Sequence, residues 1–388
     1  MDVSDPSLFE SDGYRAAFKR LRAEDPVHYC GESRFGPYWS ITTYDEIDAV
    51  DRNHRVFSSA LEHGGNLIAD YAPEASPSFI AMDPPEHRQH RSLVTPVFTT
   101  RNLAELESEI RRRVRDILDS VPVGEPFDWV DRVANQLPSQ MLATLFGVPE
   151  ENRDQMFRWA QHIMARLEGH AAPAERGPSF SAYFLRLLDE SRLRPREFDL
   201  ISHLVHGPHS ENLTDETFLS HLKLLVVGAN DTTRASIAGG LKAMMEQPGS
   251  FEALKADPAL IARAVVEIIR FVSPVIHMRR TALEDVEVGG KTIRAGEKVV
   301  MWIVSGNRDE RFFPDAETLV LDRNGPRPLS FGSGVHHCIG FRLAQLQVRA
   351  LWEERIARYS SIEPAGPAIR TGANLVFGYV SMPVVLRH

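Results

Sequence analysis

The stretch that decides the fold is FGSGVHHCIG, Phe331–Gly340, which places one of the two cysteines of this 388-residue chain in a glycine-rich turn. A long amphipathic pattern, FRLAQLQVRALWEERI, follows it, so Cys338 stands just before a predicted helix N-terminus. The partial positive charge there favours a thiolate, which can act as a nucleophile or a metal ligand. A buried structural cysteine and a catalytic cysteine with a histidine base remain alternatives. A zinc site is disfavoured, because adjacent His336, His337 and Cys338 cannot easily point at one tetrahedral centre.

The composition, 43% hydrophobic and 25% charged, is typical of a soluble globular enzyme. A net charge of −9 argues against a general nucleic-acid binder. Two cysteines, Cys30 and Cys338, cannot make a disulfide framework and indicate a reducing cytosol. The N-terminal MDVSDPSLFESDGYR has no apolar run, and LLVVGA (224–229) is far shorter than the ~20 residues that span a bilayer. We therefore expect a cytoplasmic protein without a signal peptide or membrane anchor.

Periodicity predicts a largely helical chain. Apolar residues recur at three- and four-residue spacing in 102–120, 136–146, 151–167 and 180–192. Residues 36–55 are predicted as a strand followed by a helix, and 286–305 as a small β-hairpin system around Gly289-Gly290 and Ala295-Gly296. The fold class predicted for residues 1–388 is mainly α (α+β), one domain with minor sheets near its start and late in the chain.

A very long helix is predicted around VVGANDTTRAS (226–236). Capping residues at 214–216 begin it and Gln247-Pro248-Gly249 ends it, giving roughly 30 residues or about 45–50 Å. Its middle contains Gly228, Asp231 and Thr232 between apolar flanks. Mid-helix threonines can bond back to preceding carbonyls, and an acid beside an alcohol can relay protons. The alternative is a solvated polar turn on a surface helix, against which the apolar flanks weigh.

Two further motifs combine charge with helical spacing. Glu267 and Arg270 in VVEIIRFVSP (265–274) share a helix face among apolar residues, so burial would require them to pair and recruit more partners. In MDPPEHRQHRSLV (82–94), prolines suit a helix start, and His87 and Arg91 lie four residues apart where they could hold an anion. An incidental surface salt bridge and a solvated basic face are the respective alternatives.

In their order and spacing the four motifs resemble the cytochrome P-450 superfamily of haem-thiolate monooxygenases, from Pro26 to the C-terminus. The resemblance implies a cytochrome P-450 fold, a helical prism with small β-sheets and haem b between the long helix and the cysteine loop. It makes Cys338 the axial thiolate and metal ligand. It also implies that Asp231 and Thr232 deliver protons, and that Glu267, Arg270 and Arg323 (in LDRNGP) fold the cysteine side. The cofactor-binding residues it implies besides Cys338 are Phe331, Gly332, Gly340 and, for the propionates, His87, Arg91, Arg280 and His336.

Within that superfamily, SFIAMDPPEH, VGANDTTR and HMRRTA are similar to bacterial alkane, fatty-acid and terpene hydroxylases. This implies hydroxylation of a small apolar aliphatic or terpenoid-like substrate with dioxygen and two external electrons. Substrate contacts are expected from 61–79, 160–185 and 275–278. Because the chain has no flavin, nucleotide or iron–sulfur motif, a ferredoxin and its reductase are the expected donors, docking near Arg342, Arg101 and Arg111–Arg113.

Three alternative functions remain. One is a haem-thiolate biosynthetic oxidase that performs desaturation, coupling or nitration. Another is a non-catalytic haem-binding protein, which would not need the acid–alcohol pair Asp231–Thr232. The most remote is a haem-free cysteine hydrolase.

Overall fold

The computed structural model describes residues 1–71, 75–167, 178–195, 199–207, 210 and 213–388. Its α-helices are α1 (Ser7–Glu10), α2 (Gly13–Glu24), α3 (Tyr44–Arg52), α4 (Glu86–Val94), α5 (Thr100–Ser120), α6 (Gln136–Leu145), α7 (Arg153–Leu167), α8 (Phe180–Arg192), α9 (Leu200–His206), α10 (Asp215–Glu246), α11 (Ser250–Ala256), α12 (Ile261–Val272), α13 (Ile303–Gly306) and α14 (Phe341–Arg358). No described helix is both long enough and apolar enough to span a bilayer.

The strands are short. They are β1 (Val27–Cys30), β2 (Tyr38–Ile41), β3 (Phe57–Ser58), β4 (Pro126–Asp128), β5 (Met278–Ala282), β6 (Val286–Val288), β7 (Lys291–Ile293), β8 (Lys298–Met301), β9 (Ser361–Pro364), β10 (Ile369–Arg370), β11 (Tyr379–Ser381) and β12 (Pro383–Arg387). This mainly helical architecture with small sheets confirms the predicted fold class.

The helices lie where the apolar spacing predicts them. The four predicted segments correspond to α5, α6, α7 and α8. The long helix is α10, whose 32 residues begin after Thr214, the hydroxyl of which accepts a hydrogen bond from the amide of Thr217. It is continuous through its polar middle, so Thr232 does not break it. Helices α6, α7, α12 and α14 pack against α10, which makes it the central element of the helical body.

The sheets differ in one respect from the prediction. β6 and β7 form the expected hairpin across Gly289-Gly290. β8, however, lies parallel to β2 and antiparallel to β5 in a five-stranded sheet of order β1-β2-β8-β5-β3. The early and late strands therefore form one sheet, not two. The reason is burial: Val299, Val300 and Met301 are buried on both faces, which an isolated hairpin cannot provide.

A buried ion cluster stabilises the junction between the helical body and the cysteine loop, residues 329–340. Glu267 is 3% exposed and its carboxylate accepts hydrogen bonds from Arg270 at 2.7 and 2.8 Å and from Arg323 at 3.0 Å. Arg270 also donates to the main-chain carbonyl of Asn307. The side chain of Asn307 then donates to Ser330 and accepts from the amide of Leu329, so the cluster holds the start of the cysteine loop. The pairing expected of these three charges is confirmed in geometry.

Candidate active site

A cavity separates α10 from the cysteine loop. The volume of this cavity is about 220 Å³. Its wall draws on residues from position 51 to position 347, so distant parts of the chain must fold together to form it. The predicted site residues found in the wall are Thr232, Cys338, Phe331, Gly332, Gly340, Arg91, Arg280 and His336. Asp231 and His87 lie behind it.

Cys338 reaches the cavity because the loop turns just before α14. Its amide donates a 2.8 Å hydrogen bond to the carbonyl of Phe331, which closes the turn. Burial raises the pKa of the Cys338 thiol, while a hydrogen bond from the Gly340 amide and the charge of Arg91 act in the opposite direction. The chain's other cysteine, Cys30, is buried in β1 and donates to the carbonyl of Glu32, away from the cavity wall. Cys338 is thus the one thiol of this chain that faces the cavity.

Two glycines allow the backbone of the cysteine loop to pack closely against α3. Gly332 and Gly334 have φ of +66° and +60°, a conformation that L side chains rarely adopt. A Cβ at Gly334 would lie 3.0 Å from the Cα of Arg52, and one at Gly332 would lie 3.2 Å from a carboxylate oxygen of Asp51. The loop is therefore pressed against the C-terminal end of α3 on one side while its other side borders the cavity.

Asp51 is a site residue that sequence reasoning missed. It is buried, and its carboxylate accepts hydrogen bonds from Arg280 and from the amide of Ser333, both at 2.6 Å. A single acid on α3 thereby fixes an arginine of β5 and the cysteine loop at once. In the sequence Asp51 lies in AVDRNHR (49–55), a polar segment that is typical of an exposed helix end. The local pattern therefore does not indicate a buried role for Asp51.

Two further nitrogen-containing side chains, of Arg91 and His336, lie at the same side of the cavity. Arg91 on α4 donates to the carbonyl of His337 at 2.6 Å, and burial lowers the pKa of its guanidinium. The ring of His336 forms a 2.8 Å hydrogen bond with the hydroxyl of Ser59. Burial, with the charge of Arg280, lowers the pKa of His336 to about 2. This side of the cavity is consequently rich in buried nitrogen groups.

The ring nitrogens of His87 lack hydrogen-bond partners among the described residues. The residue is 1% exposed. Its ring lies 4.4 Å from that of His336, centroid to centroid. Burial, with the charge of Arg91, lowers the pKa of His87 to about 4. Buried polar atoms are rarely left unpaired, so the two nitrogens indicate a missing polar partner.

On the opposite wall, Thr232 and Asp231 point in different directions from α10. Thr232 lines the cavity, and its hydroxyl donates to the carbonyl of Gly228 at 2.8 Å. Asp231 is 1% exposed, and burial raises the pKa of its carboxyl while Arg234 lowers it. Gly228 faces open space, since an added Cβ would meet no atom within 4 Å. The acid and the alcohol are adjacent in sequence, but only the alcohol reaches the cavity.

The expected substrate contacts are found in part. Phe79, Val275 and Met278 line the cavity, from the ranges 61–79 and 275–278. No described residue of 160–185 is in the wall, and 168–177, like 72–74, lie outside the described residues. Met164 of α7 instead packs in an apolar cluster with Ala235 and Leu375. Helix α7 therefore supports α10 from behind at this point.

One predicted docking residue is excluded. Arg113 is 3% exposed and donates to Gln140 and Thr144 inside the helical body, so it cannot contact a partner. Arg111 and Arg112 are each paired with carboxylates, Arg111 with Glu107 and Glu353 and Arg112 with Glu109 and Asp116. Arg101 and Arg342 are exposed. The predicted basic surface is thus smaller than expected.

The haem that the resemblance implies fits these residues. Its iron requires a thiolate, which Cys338 provides at the cavity wall. Its two propionates require cations and donors, and Arg91, Arg280 and the unpartnered nitrogens of His87 lie on the same side. No cluster of three or more histidine, cysteine or acidic residues able to bind a metal ion occurs among the described residues.

Comparison with known proteins agrees with the geometry. A family model described as Cytochrome P450 matches residues 184–368. Linalool 8-monooxygenase of Pseudomonas putida is 33% identical over 99% of this chain and 98% of its own. A methyl-branched lipid omega-hydroxylase of Mycobacterium tuberculosis is 30% identical over 97% of this chain and 91% of its own. The solved structure of cytochrome P450-153 from Novosphingobium aromaticivorans superposes with a TM-score of 0.90 at 38% identity, covering 100% and 99% of the two chains.

Proposed function

This chain belongs to the cytochrome P450 family and is a monooxygenase, and from that premise we propose that it hydroxylates an uncharged, apolar aliphatic or terpenoid-like small molecule. Members of the family bind haem b through a cysteine thiolate, and the bound iron activates dioxygen. The observation that carries the proposal is the cavity itself, which brings Cys338 and Thr232 to opposite walls. Because its wall spans residues 51 to 347, we treat residues 1–388 as one functional unit.

We assign the cofactor contacts to residues of the cysteine-loop side. Cys338 would ligate the iron, and Phe331, Gly332 and Gly340 would border the ring. Arg91, Arg280, His87 and His336 would hold the propionates, an assignment that the unpartnered nitrogens of His87 support. Asp51 would keep Arg280 and the loop in place.

The hydroxyl of Thr232 would hand protons toward the reacting oxygen, and Asp231 would supply them from behind the wall. Thr232 can do so because it faces the cavity while remaining anchored to the carbonyl of Gly228. Asp231 can do so because it is buried next to Thr232, and burial raises the pKa of its carboxyl, which makes proton uptake by the carboxylate easier.

The α10 side of the cavity favours an uncharged substrate. The hydroxyls of Thr232, Ser236 and Ser330 each donate to a main-chain carbonyl and are already used. The charged wall residues, Asp51, Arg91 and Arg280, contact the cysteine loop or its neighbours. A charged group placed against α10 would therefore lose its hydration without a described counter-charge, at a cost of several kcal/mol.

Relatives support the same class. One relative is named for linalool, a terpenoid alcohol, and another for methyl-branched lipids. The cavity wall includes the apolar side chains of Phe79, Leu224 and Val275. Apolar pocket walls with few polar groups are typical of sites that take hydrophobic ligands.

Bacterial relatives use redox partners, and we propose a ferredoxin for this chain. Arg101, 88% exposed in its side chain, and Arg342, which is exposed and donates to Thr100, would face it. An acidic ferredoxin would be attracted to them, and salt would weaken that attraction. Both cysteines are free, which supports the reducing cytoplasm as the compartment.

Titration of the haem-loaded protein with candidate substrates tests the substrate class through the change in iron spin state. The informative pair is a medium-chain alkane and the fatty acid of equal chain length, with a monoterpene as a third ligand. We expect the alkane or the monoterpene to bind at least about tenfold more tightly than the fatty acid, or about 1.4 kcal/mol. Tighter binding of the fatty acid would show carboxylate recognition and overturn the proposal.

A matched pair of leucine variants locates the site. Leu224→Ala enlarges the cavity and should shift preference toward bulkier terpenoids. Leu193→Ala, at a position 89% exposed beyond the end of α8, should leave every affinity unchanged. Equal effects of the two variants would place substrate binding elsewhere.

A further inference from the structure

Among the described residues, Asp231 has one charged neighbour, and it lies on the same helix. The guanidinium Nη2 of Arg234 is 2.8 Å from Oδ1 of Asp231, three residues and nearly one turn later on α10. Neither carboxylate oxygen accepts an aligned hydrogen bond from a described residue. The charge of this buried acid is therefore compensated by the ion pair alone within the described chain.

The described part of the chain adds no second cation beside Asp231. Helix α6, which packs against this part of α10, contains no charged residue. Arg370 of the β10–β11 hairpin is occupied by Asp12, at 2.6 Å. Among the described groups, only Arg234 acts electrostatically on the carboxyl of Asp231. Loss of Arg234 would leave an uncompensated buried acid.

Arg234 lies on the outer side of Asp231. Its side chain is 15% exposed, whereas that of Asp231 is 1% exposed. A Cβ built on Gly378, just before β11, would be 3.9 Å from Nη2 of Arg234. The hydroxyl of Thr371 donates to the carbonyl of the same glycine and closes the hairpin beside the guanidinium. From outside inward the order is hairpin, Arg234, Asp231.

Thr232 connects this row of residues to the cavity. Thr232 follows Asp231 directly but faces the space between α10 and the cysteine loop, which Asp231 does not reach. Two successive residues of a helix point about 100° apart, so they can connect the two sides of the helix. Arg234, Asp231 and Thr232 together cross α10 from the hairpin to the cavity.

We propose that Arg234 is the positioning residue for proton delivery, and that protons enter the cavity from the side of α10 that the β10–β11 hairpin covers. The inference rests on the proposed function and deepens it. The carboxylate of Asp231 takes up a proton from water on the hairpin side, and that water regains a proton from bulk solvent. The carboxyl then releases its proton toward the cavity, so Asp231 ends each cycle ionised again. Arg234 stays protonated and transfers no proton itself. Its positive charge favours the ionised form of Asp231, and the ion pair orients the carboxylate.

The first test reads the carboxyl directly, without turnover. Infrared difference spectroscopy of the haem-loaded protein across pH gives the protonation midpoint of Asp231, identified as the band absent in Asp231→Asn. We expect Arg234→Gln to raise that midpoint by about one pH unit or more, because a neighbouring guanidinium lowers a carboxyl pKa by one to three units. Arg234→Lys keeps the charge and should shift it less. An unchanged midpoint in Arg234→Gln would overturn the inference.

The second test reads proton delivery as product formed per electron consumed, as a function of pH and in deuterated water. Arg234→Gln should lower this coupling toward that of Asp231→Asn and move its pH limb upward with the infrared midpoint. The double variant should be no worse than Asp231→Asn alone. A shifted midpoint with unchanged coupling, in a protein whose Asp231→Asn is uncoupled, would also overturn the inference.

The control is an arginine in a similar pair away from the site. Arg192 lies 3.0 Å from Asp189 at the same three-residue spacing on α8 and is half exposed. Arg192→Gln should change neither readout. If Asp231→Asn itself leaves coupling unchanged, the proposed role of Asp231 fails and removes the basis of the inference, while the infrared midpoint still reports whether the ion pair exists.

Discussion

The hydroxyl of Thr232 donates a hydrogen bond to the carbonyl oxygen of Gly228, 2.8 Å away and one turn earlier on α10. This bond holds the hydroxyl at the cavity wall. Since alanine favours the helix, Thr232→Ala should remove the proton donor without disturbing α10. We expect product per electron to fall about tenfold or more, in the range that positioned acid–base groups contribute, and Thr232→Ser to restore most of it. Ser236→Ala removes the analogous bond one turn later and serves as the control. Equal losses in both variants would assign the effect to helix distortion.

Cys338 and Cys30 form a second matched pair. Cys338→Ser should abolish the red-shifted Soret band of the reduced, carbon monoxide-bound protein, because a thiolate donor is lost. Cys30→Ser should leave the band intact, since a serine hydroxyl can also donate to the carbonyl of Glu32. A retained band in Cys338→Ser would mean that another residue ligates the iron.

Gly228 offers a test in which stability and binding move in opposite directions. Gly228→Ala adds a methyl group into open space, so it should stabilise α10 by about 0.8–1 kcal/mol through helix propensity. The same methyl narrows the cavity and should weaken the binding of bulky substrates. Gly240→Ala is the contrast, because its Cβ would lie 2.6 Å from Ile268 and should destabilise the protein. Thermal unfolding and spin-state titration measure both effects.

The charge cluster of Glu267 should be structural. Glu267→Gln leaves Arg270 and Arg323 buried without their counter-charge, which typically costs about 3–5 kcal/mol of unfolding free energy. Glu246→Gln, in the exposed pair with Lys242, should cost less than about 1 kcal/mol. Denaturant titration separates the two. A small effect at Glu267 would show that the backbone carbonyls around Arg270 suffice to hold it.

The buried ring of His277 should make the stability of the protein sensitive to acid. Its ring accepts from the amide of Ile68 at 3.2 Å and donates to the carbonyl of Asn374 at 2.8 Å, so the neutral form is fully bonded. Burial lowers the pKa of His277 to about 4 from its ordinary 6.5. Its contribution to stability is therefore complete above pH 6.5 and is lost as pH falls toward 4, by an amount on the order of 3 kcal/mol.

His277→Gln should reduce the slope of unfolding free energy between pH 6.5 and 4, even though it lowers stability at neutral pH. His63→Gln, at a half-exposed surface position, is the control and should keep the wild-type slope. Denaturant titrations at several pH values provide the slopes. An unaltered slope in His277→Gln would assign the acid sensitivity to other buried histidines such as His221, whose pKa burial lowers to about 3.

Local pattern was sufficient for the elements that depend on nearby residues. The cap at Thr214 and the apolar flanks of 226–236 located α10, and the glycine-rich turn located Cys338 before α14. Pattern was insufficient where a residue's role depends on distant parts of the chain. Asp51 pairs with Arg280 across 229 positions, and Arg113 is buried because α6 supplies acceptors. The sequence around Asp51 or Arg113 does not indicate these distant partners.

The parallel pairing of β2 with β8 also constrains how the chain is made. Trp39 lies opposite Val299, so the early strands have no neighbour on this side until the ribosome has added some 260 further residues. At about 5–20 residues per second that wait is roughly 13–50 s. During it, the unpaired edge of β2 is open to contacts with other nascent chains. Expression yield should therefore depend on translation speed and chaperone supply more than on the stability of the finished protein.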